Sequence, residues 1–467
     1  MRVALISFHT SPLATLGGKD TGGMNVFVRE VARELGRRGI AADVFTRSQS
    51  AQSLRIDPRL GPHVRVIHVP AGPEAPVPKN DLHQFVPAFT EWIHRFVNEE
   101  SKVKNLEKTA TTSIFLDSSR DPGASPILRP RSGLGTGIEG LTALPEAGSG
   151  QFSILNSYDV VHAHYWLSGL VAEALRARWG VKFAMTFHTL AELKNQIAQR
   201  DQERESELRL RSECHLCSIA DRITANTSVE KQQLVRFYGA GSSRIRIVPP
   251  GVDLSRFHPI EQSYAKSVIG IPPQHRMILF AGRIERLKGI DTLFRAMALL
   301  KAKRADWDWA NLCVAIIGGD PSEAGQRENE EMGRLHELRD ELGLNELITF
   351  LGARDQDVLQ YYYAAAEMLV MPSHYESFGM VALEAMACGT PVIASDVGGL
   401  SVLVQHNKTG LRVKVNDPAE LARAIEKLMD DDARRRRMGH AAACYAEDFA
   451  WQKVVDKLLA VYGELVG

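Results

Sequence analysis

At 467 residues the chain is too long for one hydrophobic core, so two domains are expected. Its 56 Lys and Arg balance 56 Asp and Glu, which disfavours non-specific nucleic-acid binding, a mode driven by excess positive charge. With 44% apolar and 24% charged residues the composition is that of an ordinary globular protein, and no apolar run approaches the roughly 20 residues that span a bilayer.

The N-terminal MRVALISFHTSP has a short apolar core and no cleavage-site pattern, so it reads as a first strand, Val3–Ser7, and not as a signal peptide. His9-Thr10-Ser11-Pro12 follows, then a glycine-rich stretch from Gly17 through Gly22-Gly23-Met24-Asn25. Met24, Phe27, Val28, Val31, Ala32 and Leu35 recur at helical spacing with charged residues opposite, and Gly39 ends that helix. Glycines at a helix start let the backbone approach a bound group, and free N–H groups there suit anions. The spacing is not Gly-x-Gly-x-x-Gly, so the dinucleotide fingerprint is absent.

Further strands are expected at Asp43–Thr46, Val64–Val69, Asp159–His164, Phe183–Phe187, Arg222–Ala225 and Ile245–Val248. Residues from about 101 to 153 break this rhythm; rich in Ser, Thr, Gly and Pro, they read as a long disordered insertion. His162 and His164 alternate on one strand and share a face, with Tyr165 and Trp166 beyond its end. Phe187-His188-Thr189 follows the next strand in the same way. Ligands of open parallel sheets bind at the carboxyl ends of strands, so these residues predict one wall of a cleft.

Pro249-Pro250-Gly251-Val252-Asp253 marks the domain boundary, giving domains 1–252 and 253–467. The second repeats the rhythm with strands at Met277–Ala281, Cys313–Ile317, Ile348–Leu351, Met368–Met371, Pro391–Ala394 and Leu411–Val415. Strands alternating with helices imply parallel sheets covered on both faces: an α/β chain of two doubly wound domains. Arg283 and Lys288 flank one strand end and offer two cations to a leaving diphosphate. Glu376 precedes the helix Met380–Ala387 and Glu384 lies inside it. At about 1.5 Å rise per residue, that interval sets one carboxylate at each end of an anion-friendly helix start. A sugar nucleotide has the same polarity, so Glu384 is expected on the ribose, Glu376 on the hexose, and the amides near Gly379 on the charge between them.

Five cysteines, Cys214, Cys217, Cys313, Cys388 and Cys444, form an odd, sparse set that argues against a disulfide framework and for a reducing cytoplasm. Cys214-His215-Leu216-Cys217 is half of a zinc pattern without a second half, and reads as thiols on a helix.

Glu376 through Glu384, with Arg283 and Lys288 upstream, resembles the E-x7-E and Arg/Lys signature of retaining GT-B glycosyltransferases of family 4. The resemblance covers nearly the whole chain apart from the insertion. It implies two Rossmann-like domains facing across a cleft, a donor held mainly by the second, and a last helix, Trp451–Leu465, that crosses back to the first. It also implies that no metal and no cofactor are required, the UDP-sugar being a co-substrate.

His9-Thr10-Ser11-Pro12-Leu13, Gly22-Gly23-Met24-Asn25-Val26, His164-Tyr165-Trp166-Leu167-Ser168-Gly169 and His188-Thr189-Leu190 are similar to the branch of that family comprising inositol-phosphate N-acetylglucosaminyltransferases and sucrose-phosphate synthases. That likeness implies acceptor contacts from His9, Asn25, Lys79, Tyr165, Thr189 and Arg209, with Arg211 a competitor for the last. It implies donor contacts from Gly23, Asn25, Arg283, Lys288, Glu376, Ser377, Phe378, Gly379 and Glu384. His188, Arg283, Lys288 and Glu376 are the expected catalytic group.

The expected function is transfer, with retention, of a hexosyl or N-acetylhexosaminyl group from a UDP-sugar to a hydroxyl of a small phosphorylated acceptor such as inositol 3-phosphate. A sucrose-phosphate synthase type of glucosyltransferase is the alternative within the family, and a non-catalytic sugar-nucleotide sensor the alternative outside it. A dehydrogenase lacks its fingerprint here. The sequence does not fix the oligomeric state and admits a homodimer.

Overall fold

A computed structural model of the chain describes residues 1–14, 22–117, 158–198, 200–320, 322 and 329–467. Glycines 17 and 18 with Lys19, Asp20 and Thr21, and residues 118–153 of the expected insertion, lie outside the described residues.

Two sheets form. The first runs in the order β3-β4-β2-β1-β5-β6-β7-β8, from β1 (Arg2–Ile6), β2 (Ala41–Arg47), β3 (Ile56–Asp57), β4 (Val64–Val69), β5 (Val160–His164), β6 (Phe183–Thr186), β7 (Arg222–Ala225) and β8 (Ile245–Ile247). The second runs β11-β10-β9-β12-β13-β14, from β9 (Arg276–Ala281), β10 (Leu312–Ile317), β11 (Ile348–Gly352), β12 (Met368–Met371), β13 (Val392–Ser395) and β14 (Gly410–Val413). All pairings are parallel except β3 with β4. Burial on both faces explains the near-continuous apolar runs, such as Val3–Ile6 and Met277–Phe280 with no exposed side chain.

Chain order reverses between β1 and β5 in the first sheet and between β9 and β12 in the second. At such switch points the loops at the strand ends part and leave a crevice. His9, Tyr165, Arg283 and Glu376 follow those four strands, and His188 follows the neighbouring β6.

Two differences from the sequence reading stand out. The helix Val86–Asp117 runs on through the first part of the stretch read as a disordered insertion. Lys102, Lys104, Leu106, Glu107 and Lys108 are good helix formers and extend a helix already nucleated upstream, where adding a residue is cheap. The two-residue β3 escaped notice because so short a strand has no alternation to detect.

The terminal helix Trp451–Val466 buries Trp451, Val454, Val455, Leu458, Val461, Tyr462 and Leu465, an i, i+3, i+4, i+7 stripe. That stripe packs with Val3, Leu5, Phe27 and Val31 of the first sheet and its first helix. Glu464 binds Arg222 and Arg246 at the far end, and Val252 N–H donates to Phe449 O at 2.8 Å at the near end. The chain therefore crosses between the sheets twice, side by side.

Candidate active site

The wall from the second sheet is built on β9 and β12. Lys288 closes a short 3-10 turn after β9, and its Nζ donates to Glu376 Oε2 at 2.5 Å, both side chains being mostly buried. Arg283 stands nearer the rim, about half exposed, with Nη1 2.7 Å from Glu285 Oε1. The loop 372–379 is fixed from both sides. His374 N–H donates to Leu287 O at 2.8 Å and Gly399 N–H to Glu376 O at 2.8 Å. A Cβ on Gly398 would lie 2.1 Å from Glu376 O, and one on Gly399 would lie 2.3 Å from Phe378 Cα. Gly398 and Gly399 thus form the seat on which the Glu376 loop rests. Gly379, at φ +101°, turns the chain into the helix Met380–Ala387.

Glu384 is 8% exposed and accepts a 2.9 Å bond from the Tyr363 hydroxyl. Burial pushes its pKa up to about 7, against the opposing pull of that hydroxyl and of Arg256 and Arg29. Burial thus works against the charged form at this end, while hydroxyl donors favour it.

The first-sheet wall centres on Tyr165. It follows β5 at φ +75°, with its N–H bonded to Thr186 O at 2.8 Å. Lys79 Nζ lies 4.4 Å and Arg209 Cζ 4.7 Å from the centre of its ring, and the His9 ring is 4.5 Å away. Arg209 is almost fully buried. Its Nη2 donates to Thr189 O at 2.8 Å and Thr189 Oγ1 at 3.0 Å, while Glu213 and Glu205 hold Nε and Nη1 at 2.7 and 2.9 Å. Arg211, two residues on, points outward to Glu207. Of the two arginines, the structure brings only Arg209 to the site, behind Tyr165 and Thr189.

Asn25 also lies at the wall, 1% exposed, but its amide is used internally. Nδ2 donates to Thr10 Oγ1 at 2.7 Å and Ser11 O at 2.8 Å, and Oδ1 accepts from Gly22 N–H at 3.0 Å. It ties the loop after β1 to the start of the first helix. A Cβ on Gly23 would sit 3.0 Å from Met380 Sδ, so the two walls touch here. His188, at φ +62°, meets His164 with Nε2 3.0 Å from Nδ1. Burial holds its pKa down at about 3, so its ring is neutral.

Both walls face one cleft of about 360 Å³, the size of a small-ligand site. His9, Lys79, Tyr165, His188 and Thr189 line one side; Arg283, Lys288, Glu376, Ser377, Phe378 and Glu384 line the other. Several contributors gave no sequence signal. Tyr363 orients Glu384 from a helix with no motif. Gln356 Oε1 accepts from Arg29 at 2.8 Å and Arg256 at 3.1 Å, joining the two halves of the chain. Tyr375, adjacent to Glu376, packs against the core beneath the first sheet.

Elsewhere, Cys214 and Cys217 are free thiols on the helix Glu207–Ile219, and the described residues contain no cluster of three or more metal-ligating side chains. Among the described residues no helix is long and apolar enough to cross a membrane.

Two family models match the chain: glycosyl transferases group 1 over residues 262–444, and a glycosyl transferase 4-like domain over residues 22–251. The D-inositol 3-phosphate glycosyltransferase of Saccharomonospora viridis is 37% identical over 99% of this chain and 94% of its own length. The protein of the same name from Corynebacterium jeikeium is 38% identical over 100% and 97%. Among solved structures, sucrose-phosphate synthase from Thermosynechococcus elongatus superposes with a TM-score of 0.79 at 30% identity, covering 99% of this chain and 98% of that one.

Two parallel sheets facing across such a cleft define a GT-B glycosyltransferase. The chain belongs to the glycosyltransferase family that these two models and relatives define, and it is an enzyme of that class.

Proposed function

We propose that the chain transfers a hexosyl or N-acetylhexosaminyl group from a UDP-sugar, with retention of configuration, to a hydroxyl of a small phosphorylated acceptor of the inositol 3-phosphate kind. The observation that carries this reading is the opposition of two cationic groups across one cleft. Lys288 and Arg283 stand on the side of the two glutamates; Lys79 lines the other beside Tyr165, with Arg209 buried behind that ring and bonded to Thr189. A diphosphate on one wall and a phosphate on the other is the pairing that arrangement suits. The relatives' shared name supports the acceptor.

In this reading the bond from sugar C1 to the diphosphate oxygen breaks through an oxocarbenium-like transition state. The acceptor oxygen bonds to C1 on the same face, and its proton passes to the departing diphosphate. Arg283, Lys288 and the N–H groups at the start of the helix Met380–Ala387 meet the charge that develops, which is where electrostatic catalysis gains most. No metal or cofactor is needed in this scheme. The five free thiols support a reducing, cytoplasmic setting.

The resemblance in fold to sucrose-phosphate synthase favours a second reading, glucosyl transfer to fructose 6-phosphate. A screen with UDP-glucose and UDP-N-acetylglucosamine against inositol 3-phosphate, fructose 6-phosphate and their unphosphorylated parents separates the two. The phosphorylated acceptor is expected to exceed its parent in kcat/KM by about 10²- to 10³-fold, since charge-assisted hydrogen bonds contribute about 1.5–3 kcal/mol each. Equal values would remove Lys79, Tyr165 and Arg209 from that role.

Donor binding should depend on pH through Glu384. The free group titrates at about 7, and hydroxyl donors of a ribose favour the carboxylate, so binding expels its proton. Affinity for a UDP-sugar is expected to fall by up to about tenfold per pH unit below 7 and to level off above it. In Glu384→Gln the profile should be flat. Calorimetric titrations from pH 5.5 to 8.5 read this directly, and a wild-type profile as flat as the variant's contradicts the assignment.

A further inference from the structure

We propose that His164 is a positioning residue that fixes the tautomer of His188, so that His188 presents Nδ1–H to the bound sugar as a hydrogen-bond donor and not a lone pair as a base. The inference rests on the reading of this cleft as the donor site, but its first test does not.

β5 alternates, so His162 and His164 point to one face, with ring centres 4.2 Å apart. Their surroundings differ. Both nitrogens of His162 are occupied: Nδ1 bonds the Tyr462 hydroxyl at 2.7 Å and Nε2 bonds Thr186 Oγ1 at 2.8 Å. His164 has one polar contact, from Nδ1 to His188 Nε2 at 3.0 Å. Its Nε2 is buried without a hydrogen-bond partner, and Phe27 and His162 flank the ring.

Burial keeps both histidines neutral, so each ring carries one proton. Orphaned buried N–H groups are rarer in proteins than under-used acceptors. The bare nitrogen of His164 is therefore the unpartnered Nε2, and its proton sits on Nδ1. That N–H donates to His188 Nε2, which must itself be bare, and the proton of His188 is left on Nδ1.

The backbone makes this arrangement specific. His188 sits in the left-handed region at φ +62°, spanned by a 2.8 Å bond from Thr189 N–H to Phe187 O. For a residue with a side chain that conformation is strained. It turns the ring so that Nε2 meets His164, while the side chain lines the cleft. His188 Nδ1 has no hydrogen-bond partner among the described residues and is not sealed from solvent. With its lone pair taken by His164, His188 cannot accept the acceptor's proton, in keeping with a diphosphate oxygen doing so.

The test is histidine ¹⁵N NMR on the full ligand-free chain, with the His188 signals assigned by their loss in His188→Gln. The expected result is a protonated Nδ1 and an unprotonated Nε2. The opposite tautomer in the wild type overturns the proposal without reference to any substrate. His164→Phe removes the donor while filling the space, and should mix the tautomers and lower kcat by about ten- to a hundredfold, the range seen when partners that orient an imidazole are lost at metal sites. KM for the donor should move less than kcat. His164→Asn places an amide N–H where Nδ1–H was, and should restore the tautomer and most of kcat. If both variants lose activity equally with the His188 tautomer unchanged, His164 is structural only. If wild-type enzyme fails to bind a UDP-sugar at all, it is the reading of the cleft that fails.

Discussion

Lys288→Ala is expected to lower kcat by about 10²- to 10³-fold, the cost of removing one preorganised donor to a developing negative charge. KM for the acceptor should stay within a few-fold. The size of the effect follows from placement. Lys288 is mostly buried, and its Nζ sits 2.5 Å from Glu376 in the ligand-free cleft. Without it, a partly buried carboxylate remains unpaired beside the position of an incoming diphosphate, and repulsion adds to the lost attraction. Arg283 is half exposed and already paired with Glu285, so Arg283→Ala should cost less, about tenfold to a hundredfold. Steady-state assays of UDP release check both. A Lys288→Ala enzyme with wild-type turnover would show that the diphosphate lies elsewhere.

Arg209→Ala is expected to damage stability and acceptor binding together. Arg209 and Glu213 are buried, with side-chain exposures of 2% and 0%. Glu213 also accepts from Ala191 N–H at 2.9 Å and from the Tyr238 hydroxyl at 2.7 Å. Removing one partner of a buried pair costs about 3–5 kcal/mol, which for a domain of this size lowers Tm by about 10 °C. The same change withdraws the donor that holds Thr189, so KM for the phosphorylated acceptor should rise steeply. Arg211→Ala, on the outer face of the same helix, should stay within about 0.5 kcal/mol of wild type and leave acceptor KM unchanged. Calorimetry and acceptor titrations on the two variants distinguish the arginines; the reverse pattern would place the phosphate on the wrong side of the helix.

That choice between Arg209 and Arg211 shows where the sequence stops being informative. Residues two apart on a helix face different ways, so only one could point inward. Which one was not legible, because the inner face of Glu207–Ile219 buries Arg209, Ser212 and Glu213 as well as Leu216 and Cys217. Apolar periodicity identifies an inside only when the inside is apolar. The central strands of both sheets, such as Val3–Ile6 and Met277–Phe280, were legible for that reason, since they are buried on both faces.

Spacing along one element was legible as well. Glu376 and Glu384 belong to one loop and one helix, and a helix is a ruler. Pairings across the fold were not. The bond from Lys288 to Glu376 joins residues from different strand ends, Tyr363 reaches Glu384 from another helix, and the Asn25 amide turns inward to the loop after β1. The raised pKa of Glu384 is a product of burial, which no local pattern reveals.

The central claim is that one sugar nucleotide lies lengthwise along the start of the helix Met380–Ala387, with its charge beneath Lys288 and Arg283. A crystal structure with an intact UDP-sugar and a phosphorylated acceptor tests it most directly. The account predicts the ribose hydroxyls on Glu384, the diphosphate within hydrogen-bonding distance of Lys288 and Arg283, the hexose on Glu376, and the acceptor phosphate beside Lys79 and Tyr165. A donor bound in the reverse sense, or with its diphosphate away from both cations, would contradict it.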